Sequence, residues 1–152
     1  MNDPRHADFT IEQLQKKHDK PFFLACGFFH PHMPWYVPQK YFDLYPLDQI
    51  VDPPLKDDDL DDIPERGKEL GLDRSSVYTQ AVAAGIYKKA VQGYLASTTF
   101  SDVQVGRILD ALEKSPYKDN TLVVLWSDNG FHLGEKLHWQ KAPCGNREPI
   151  RC

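Results

Sequence analysis

The chain has 152 residues, enough for one domain of ordinary size, with 41% hydrophobic and 26% charged residues, which is common globular usage. A net charge of −4 without any Lys/Arg-rich run excludes the electrostatic footprint of a nucleic-acid or membrane-surface binder. The longest apolar run, Phe22 to Phe29, is far below the ~20 residues of a membrane span, and the polar start Met1 to Ala7 does not read as a secretory signal.

Thr10-Ile11-Glu12-Gln13 has the form of a capping box and predicts a short helix opening there. Asp19-Lys20-Pro21 breaks it. Phe22 to Phe29 is apolar on both faces, which predicts a central strand covered on two sides, as in parallel sheets. Cys26 within it reads as a buried structural thiol. The spacing of Cys26, Cys144 and Cys152 fits neither a zinc site nor a disulfide framework and leaves the redox compartment undetermined. A Pro- and aromatic-rich loop follows, His30 to Pro38, and then a single helical turn around Tyr41 to Pro46.

From about Asp48 to Ser76 the chain is acidic and Pro-rich and predicts a long irregular excursion. Its Asp57-Asp58-Asp59 and Asp61-Asp62 runs lack EF-hand spacing and read as a solvated loop rather than a calcium site. From about Ala81 to Ser115 the pattern is helical, with Tyr87, Val91, Tyr94/Leu95, Thr98, Val105, Ile108/Leu109 and Leu112 on the expected apolar face. Pro116 ends it, Asp119-Asn120 turns the chain, and Thr121 to Trp126 predicts a second buried strand. The order helix, strand, excursion, long helix, strand is that of an α/β fold with two parallel strands, whose sheet neighbours lie outside this sequence. There is no internal repeat.

Ser127-Asp128-Asn129-Gly130 follows directly on the second strand, and in open α/β sheets ligands bind outside the carboxyl ends of the strands. Asp128 and Asn129 set two hard oxygens side by side, suited to Ca²⁺ or Mg²⁺, with Gly130 allowing a tight departure. Two ligands are too few for a calcium ion, which takes about 6–8. Taken alone, the tetrapeptide reads first as an Asx-type turn. His32, in His30-Pro31-His32-Met33-Pro34, lies at the end of the first strand. There it can donate to an anionic oxygen or serve as a general acid; alone, it reads first as a loop histidine bonded to backbone. Lys136 or Lys141 could neutralise an anion, and either could be solvated.

The conjunction is far more specific than its parts: Pro-His-x-Pro after one apolar run, and Ser-Asp-Asn-Gly-x-x-x-Gly-Glu-x-x-x-Trp-x-Lys after the next. On these motifs, and on Gly106 to Glu113 of the long helix, the chain from Phe9 to Lys141 resembles the sulfatases of the alkaline phosphatase-like superfamily, nearest their iduronate sulfatase-like branch. The resemblance implies an alkaline phosphatase-like α/β fold, a mostly parallel sheet flanked by helices and incomplete here. It implies that residues 1–141 are part of a catalytic domain, followed by an atypical tail at 142–152. By residue, it implies that Asp128 and Asn129 ligate Ca²⁺, that His32 contacts the sulfate ester, and that Lys141 binds the sulfate and offsets charge on the leaving oxygen. His30 stands where the branch often has lysine and takes no role, and Lys136 and His138 fall at variable positions.

The reaction so implied is hydrolysis of a sulfate ester, on a sulfated small molecule or sugar, through a formylglycine made from cysteine in Cys-x-Pro/Ala-Ser-Arg. Neither that motif nor the family's early aspartate pair occurs in these 152 residues. In the family both lie before the region matched here, so Met1 is expected to correspond to an internal position, and this chain alone is expected to be inactive. The segment Ala142 to Cys152 departs from the family pattern and has the look of a truncated or frameshifted reading. Complete members are usually exported, periplasmic or lysosomal; oligomeric state is not implied. A phosphoester or phosphonate hydrolase of the same superfamily, and a non-catalytic remnant, are the alternative readings.

Overall fold

A computed structural model of the chain describes residues 2–56, 58–72 and 76–141. Cys144, Cys152 and the atypical tail lie outside the described residues, as does Asp57. The chain forms two compact units, Met1–Pro46 with Gly93–Val124, and Leu47–Gln92 with Leu125–Cys152.

In the first unit, α1 spans Asp3–Gln15, eight residues longer at its start than a capping box on Thr10 implies. The start signals are Asp3 in the first turn and Pro4, whose fixed φ suits the first helical positions and whose missing N–H costs nothing there. Thr10 is mid-helix, and its hydroxyl donates back to the His6 carbonyl at 2.8 Å. The side chain of Asp3 is fully buried. It accepts the backbone N–H groups of Phe29 (3.0 Å) and His30 (3.1 Å) and the Nδ1–H of His30 (2.6 Å). Burial opposes ionisation of this carboxyl, but the three donors outweigh it and hold its pKa below the ordinary value of 3.8.

The segment 22–29 forms neither helix nor strand and has no ladder partner among the described residues. Its side chains alternate: Leu24, Cys26 and Phe28 are half-buried, while Phe23 is 90% exposed and Phe29 51%. The expected two-sided cover is therefore one-sided here, and Cys26 is half-buried with a free thiol rather than fully buried. Segment 121–126 likewise forms no strand and is exposed throughout, Leu122 at 89% and Trp126 at 71%. Among the described residues the only ladder is antiparallel, β1 (His132–Leu133) with β2 (Trp139–Gln140), so the predicted parallel sheet is not formed. The physical reason is that a strand needs a neighbour to satisfy its backbone groups, and neither apolar run meets one.

The short α2 (Gln39–Phe42) begins two residues before the single turn expected at Tyr41 to Pro46 and overlaps it only at Tyr41 and Phe42. Two further helices lie in or beside the acidic stretch, α3 (Glu65–Leu72) and α4 (Ser76–Ala83), so it is not irregular throughout. Pro64 before Glu65 is the start signal that the acidic composition hid. The long helical pattern is broken once. Gly85 takes φ 65°, the Gly85 N–H bonds the Val82 carbonyl and the Ile86 N–H bonds the Ala81 carbonyl, both at 2.9 Å. This is a Schellman ending, and a residue with a Cβ would resist that φ. The long helix α5 then runs Tyr87–Glu113.

The face of α5 that packs in the first unit is not the large-residue stripe. Ala96, Ser97, Phe100 and Gln104 are buried, whereas Thr98 and Leu109 are exposed. The small residues let Val37 and Tyr41 approach closely enough to share a core with Phe100, with Phe42 and Tyr45 at its edge. The Pro-rich loop is fastened to the same helix. Its Trp35 indole donates to the Pro31 carbonyl at 2.8 Å and lies so close to Gly93 that a Cβ there would have Cζ3 at 3.1 Å and Cδ2 at 3.3 Å. Ser101 donates to the His30 carbonyl at 2.9 Å.

Two outcomes are expected. Replacing Asp3 by alanine strands two backbone donors and a ring N–H in the interior and should cost about 3 kcal/mol, read as a lowered urea midpoint. The bare apolar faces should make the isolated chain associate with rising concentration. Leu122→Lys with Val124→Lys should suppress that association in light scattering, and an unchanged profile would assign it elsewhere.

Candidate functional site

His32 belongs to the first unit. Its N–H closes a turn onto the Phe29 carbonyl at 3.0 Å, and its ring lies against Phe29 with centroids 4.8 Å apart. Its Nδ1–H donates to the Met33 carbonyl at 2.5 Å, which leaves Nε2 as the outward nitrogen of an exposed ring. Both neighbouring X-Pro bonds, His30-Pro31 and Met33-Pro34, are cis. The histidine that sequence reading left without a role, His30, is the buried one, held by Asp3.

Asp128, Asn129 and Lys141 belong to the second unit. Asp128 is exposed and Asn129 half-buried. The turn is local: Ser127 Oγ donates to the Asn129 carbonyl at 2.6 Å, and Asn129 Nδ2 to the Gly130 carbonyl at 2.7 Å. Gly130 is not in the left-handed region, and a Cβ there would meet nothing within 4 Å, so the tight departure expected of it is not what it provides. No group of three or more His, Cys, Asp or Glu side chains converges to hold a metal among the described residues. The donor type suits Ca²⁺, but two oxygens are a small part of its shell of about 6–8.

Lys141 is exposed and directly follows β2. The stretch before it is tightly built. Gly134 takes φ 128° and is buried, because a Cβ would stand 2.9 Å from both Leu55 Cδ2 and Tyr78 Cε2. The Leu133 N–H bonds the Glu135 carboxylate at 2.6 Å, and the Leu133 carbonyl accepts the Tyr87 hydroxyl at 2.6 Å. Burial, with Tyr78, Asp52 and Glu135 nearby, pushes the Tyr87 hydroxyl up to about 12, so it stays a donor at any physiological pH. Lys136 and Leu137 both occupy the left-handed region, at φ 53° and 57°. His138 donates Nδ1–H to the Lys136 carbonyl at 2.7 Å, and its buried Nε2 has no hydrogen-bond partner.

The acidic stretch, read as solvated, holds this turn. The Lys136 N–H donates to Asp59 Oδ2 at 2.8 Å, and its ammonium reaches the Asp59 carbonyl (2.5 Å), Asp59 Oδ1 (3.3 Å) and Asp62 Oδ1 (2.7 Å). The hydrogen bonds of Lys136 lower both carboxyls below 3.8, and bonding to Asp62 and Asp59 raises the Lys136 amine above 10.5. Nothing local in the sequence pairs positions 59 and 62 with 136, since the partners lie more than seventy residues apart.

Depressed carboxyls contribute stability that is present above their ordinary value and lost as pH falls through the folded one. A raised lysine contributes below its ordinary value and loses it as pH rises through the folded one. Hydrogen-exchange protection of the Lys136 amide should therefore hold across neutral pH and fall away below about 3.8. Protection unchanged at pH 2 would show that the ion pairs do not hold the turn.

Comparison with known proteins agrees with the motif. The family model described as Sulfatase matches residues 1–151. A sulfatase of Formosa agariphila is 49% identical over 137 residues, covering 90% of this chain and 27% of its own length. Human iduronate 2-sulfatase is 33% identical over 93% of this chain and 28% of its own, and an arylsulfatase of Clostridium perfringens 32% identical over 88% and 27%. The chain thus spans little more than a quarter of the length of these relatives. No solved structure matches it. With nearly the whole sequence matched by the family model and 49% identity to one member over 90% of the chain, the chain belongs to the sulfatase family, hydrolases of the alkaline phosphatase-like superfamily.

Proposed function

We infer that this chain carries part of the anion- and metal-binding machinery of a sulfuric ester hydrolase that acts on a sulfated sugar, with Ca²⁺ and a formylglycine nucleophile in the longer protein. The observation that carries the reading is the paired motif, Pro-His-x-Pro and Ser-Asp-Asn-Gly-x-x-x-Gly-Glu-x-x-x-Trp-x-Lys, in a chain so similar to named sulfatases. The name of one relative, iduronate 2-sulfatase, favours a sugar-acid ester as the type of substrate. In this reading the segments 22–29 and 121–126 supply strands of a mostly parallel sheet.

Each residue has a role its chemistry allows. A sulfate ester presents anionic oxygens and leaves as an alkoxide-like group. The exposed Lys141 offers three N–H donors on a flexible stem and neutralises that charge. His32, with Nδ1 committed to the Met33 carbonyl, presents Nε2 to the ester oxygen. Asp128 and Asn129 offer two of the oxygens that would hold the cation, which when bound polarises the ester oxygens. With no nucleophile motif in these 152 residues, positioned charge has nothing to activate, and the chain alone should not turn over an aryl sulfate.

The test grafts residues 1–141 in place of the matching 27% of the Clostridium perfringens arylsulfatase. The chimaera should hydrolyse an aryl sulfate, and Lys141→Ala or His32→Ala should lower kcat/KM by about 10²–10³-fold. Preference for an aryl phosphate would replace the reading with phosphoester hydrolysis. A folded chimaera inactive on both would mark the segment as a non-catalytic remnant.

A further inference from the structure

The turn before Lys141 contains two consecutive residues in a backbone region that disfavours side chains. Lys136 (φ 53°, ψ 28°) and Leu137 (φ 57°) are neither Gly nor Asn. Such residues cost about 1 kcal/mol or more each and persist only where their surroundings hold them. Here the surroundings are identifiable. Asp59 takes the Lys136 N–H and, with Asp62, its ammonium, so both the backbone and the side chain of one strained residue are held by the turn of the acidic segment. The Leu137 N–H and His138 N–H close the turn on the Gly134 and Glu135 carbonyls, at 3.0 and 2.9 Å. Trp139 then pairs with Leu133, Gln140 with His132, and Lys141 comes next.

We propose that Asp59 and Asp62 are positioning residues: by clamping Lys136 in its left-handed conformation they fix the hairpin register that presents Lys141 to an anionic oxygen of the substrate. The proposal rests on the sulfate-binding reading of Lys141. It gives the acidic segment a role in substrate binding opposite to the one its charge suggests. As bare charges, two carboxylates near an anion site repel the ligand, and removing them would tighten binding. As a clamp, removing them frees the strained pair, lets the hairpin relax, and weakens binding.

The experiment titrates inorganic sulfate into the 152-residue chain and follows the amide signals of Gln140 and Lys141. Lys141→Ala should abolish the saturable response. Asp59→Asn with Asp62→Asn should weaken it by about tenfold, against the sign of the charge change. Adding Lys136→Gly to that double variant should restore much of the loss, because glycine takes the left-handed conformation freely, although a cation has been removed. Melting of all variants is followed alongside, so that a variant that fails to fold is replaced by the single Asp62→Asn, which leaves the Asp59 contacts in place and should weaken binding less. Sulfate bound equally or more tightly by the double variant, with Lys141→Ala still inactive in binding, overturns the clamp and leaves the Lys141 reading standing. A response that survives Lys141→Ala, or none in the parent chain, overturns both.

Discussion

A buried carboxylate can be kept ionised only if donors surround it, and Asp3 organises its half of the molecule by meeting that requirement. Its three donors come from Phe29 and His30, where the apolar segment ends and the Pro-rich loop begins. One side chain at the start of α1 thereby fixes where the apolar segment stops and how the following histidine-bearing loop departs. Trp35 and Ser101 then fasten that loop to α5. His32 sits in a short exposed bridge between these anchors, which explains how an exposed residue can hold a defined orientation.

The second unit uses the same device with the charges reversed. There a lysine, not a carboxylate, is the hub, and carboxylate and carbonyl oxygens gather round it. In both places the hub lies close in sequence to a residue that the motif singles out: Asp3 holds His30, two positions before His32, and Lys136 lies in the hairpin that leads to Lys141. Exposed polar side chains at a reacting centre cannot fix themselves by packing, so the order has to come from the next layer of contacts.

Much of this was legible in the sequence, and the limits were physical. The body of the long helix, its end before Pro116 and the turn at 118–120 follow from periodicity and punctuation, while the break at Gly85 inside the expected span of Ala81 to Ser115 was not foreseen. The family follows from the motif, because it is written in nearly consecutive positions. Three more things were not legible. The start of α1 was hidden because Thr10 mimics a cap that Asp3 and Pro4 render unnecessary. The buried face of α5 is marked by alanine and serine, which a search for large apolar residues passes over. The pairing of Asp59 and Asp62 with Lys136 is a long-range contact, and charge alone gives no partner. The two apolar runs were read as buried strands, and neither forms a ladder among the described residues, because strand pairing depends on neighbours that a single run cannot reveal.

The contact between Trp35 and Gly93 bears on any attempt to engineer this helix. A common route to thermostability replaces helical glycine by alanine, at a gain of up to about 1 kcal/mol per site. Two glycines of α5, 93 and 106, look equivalent by that rule. At Gly106 a methyl group meets nothing within 4 Å and the gain is open; at Gly93 the same methyl collides with the indole of Trp35. The helix thus forgoes intrinsic stability at one position so that an aromatic ring can approach its backbone closely. A stabilisation scheme blind to that ring would strengthen the helix while dislodging the loop it carries.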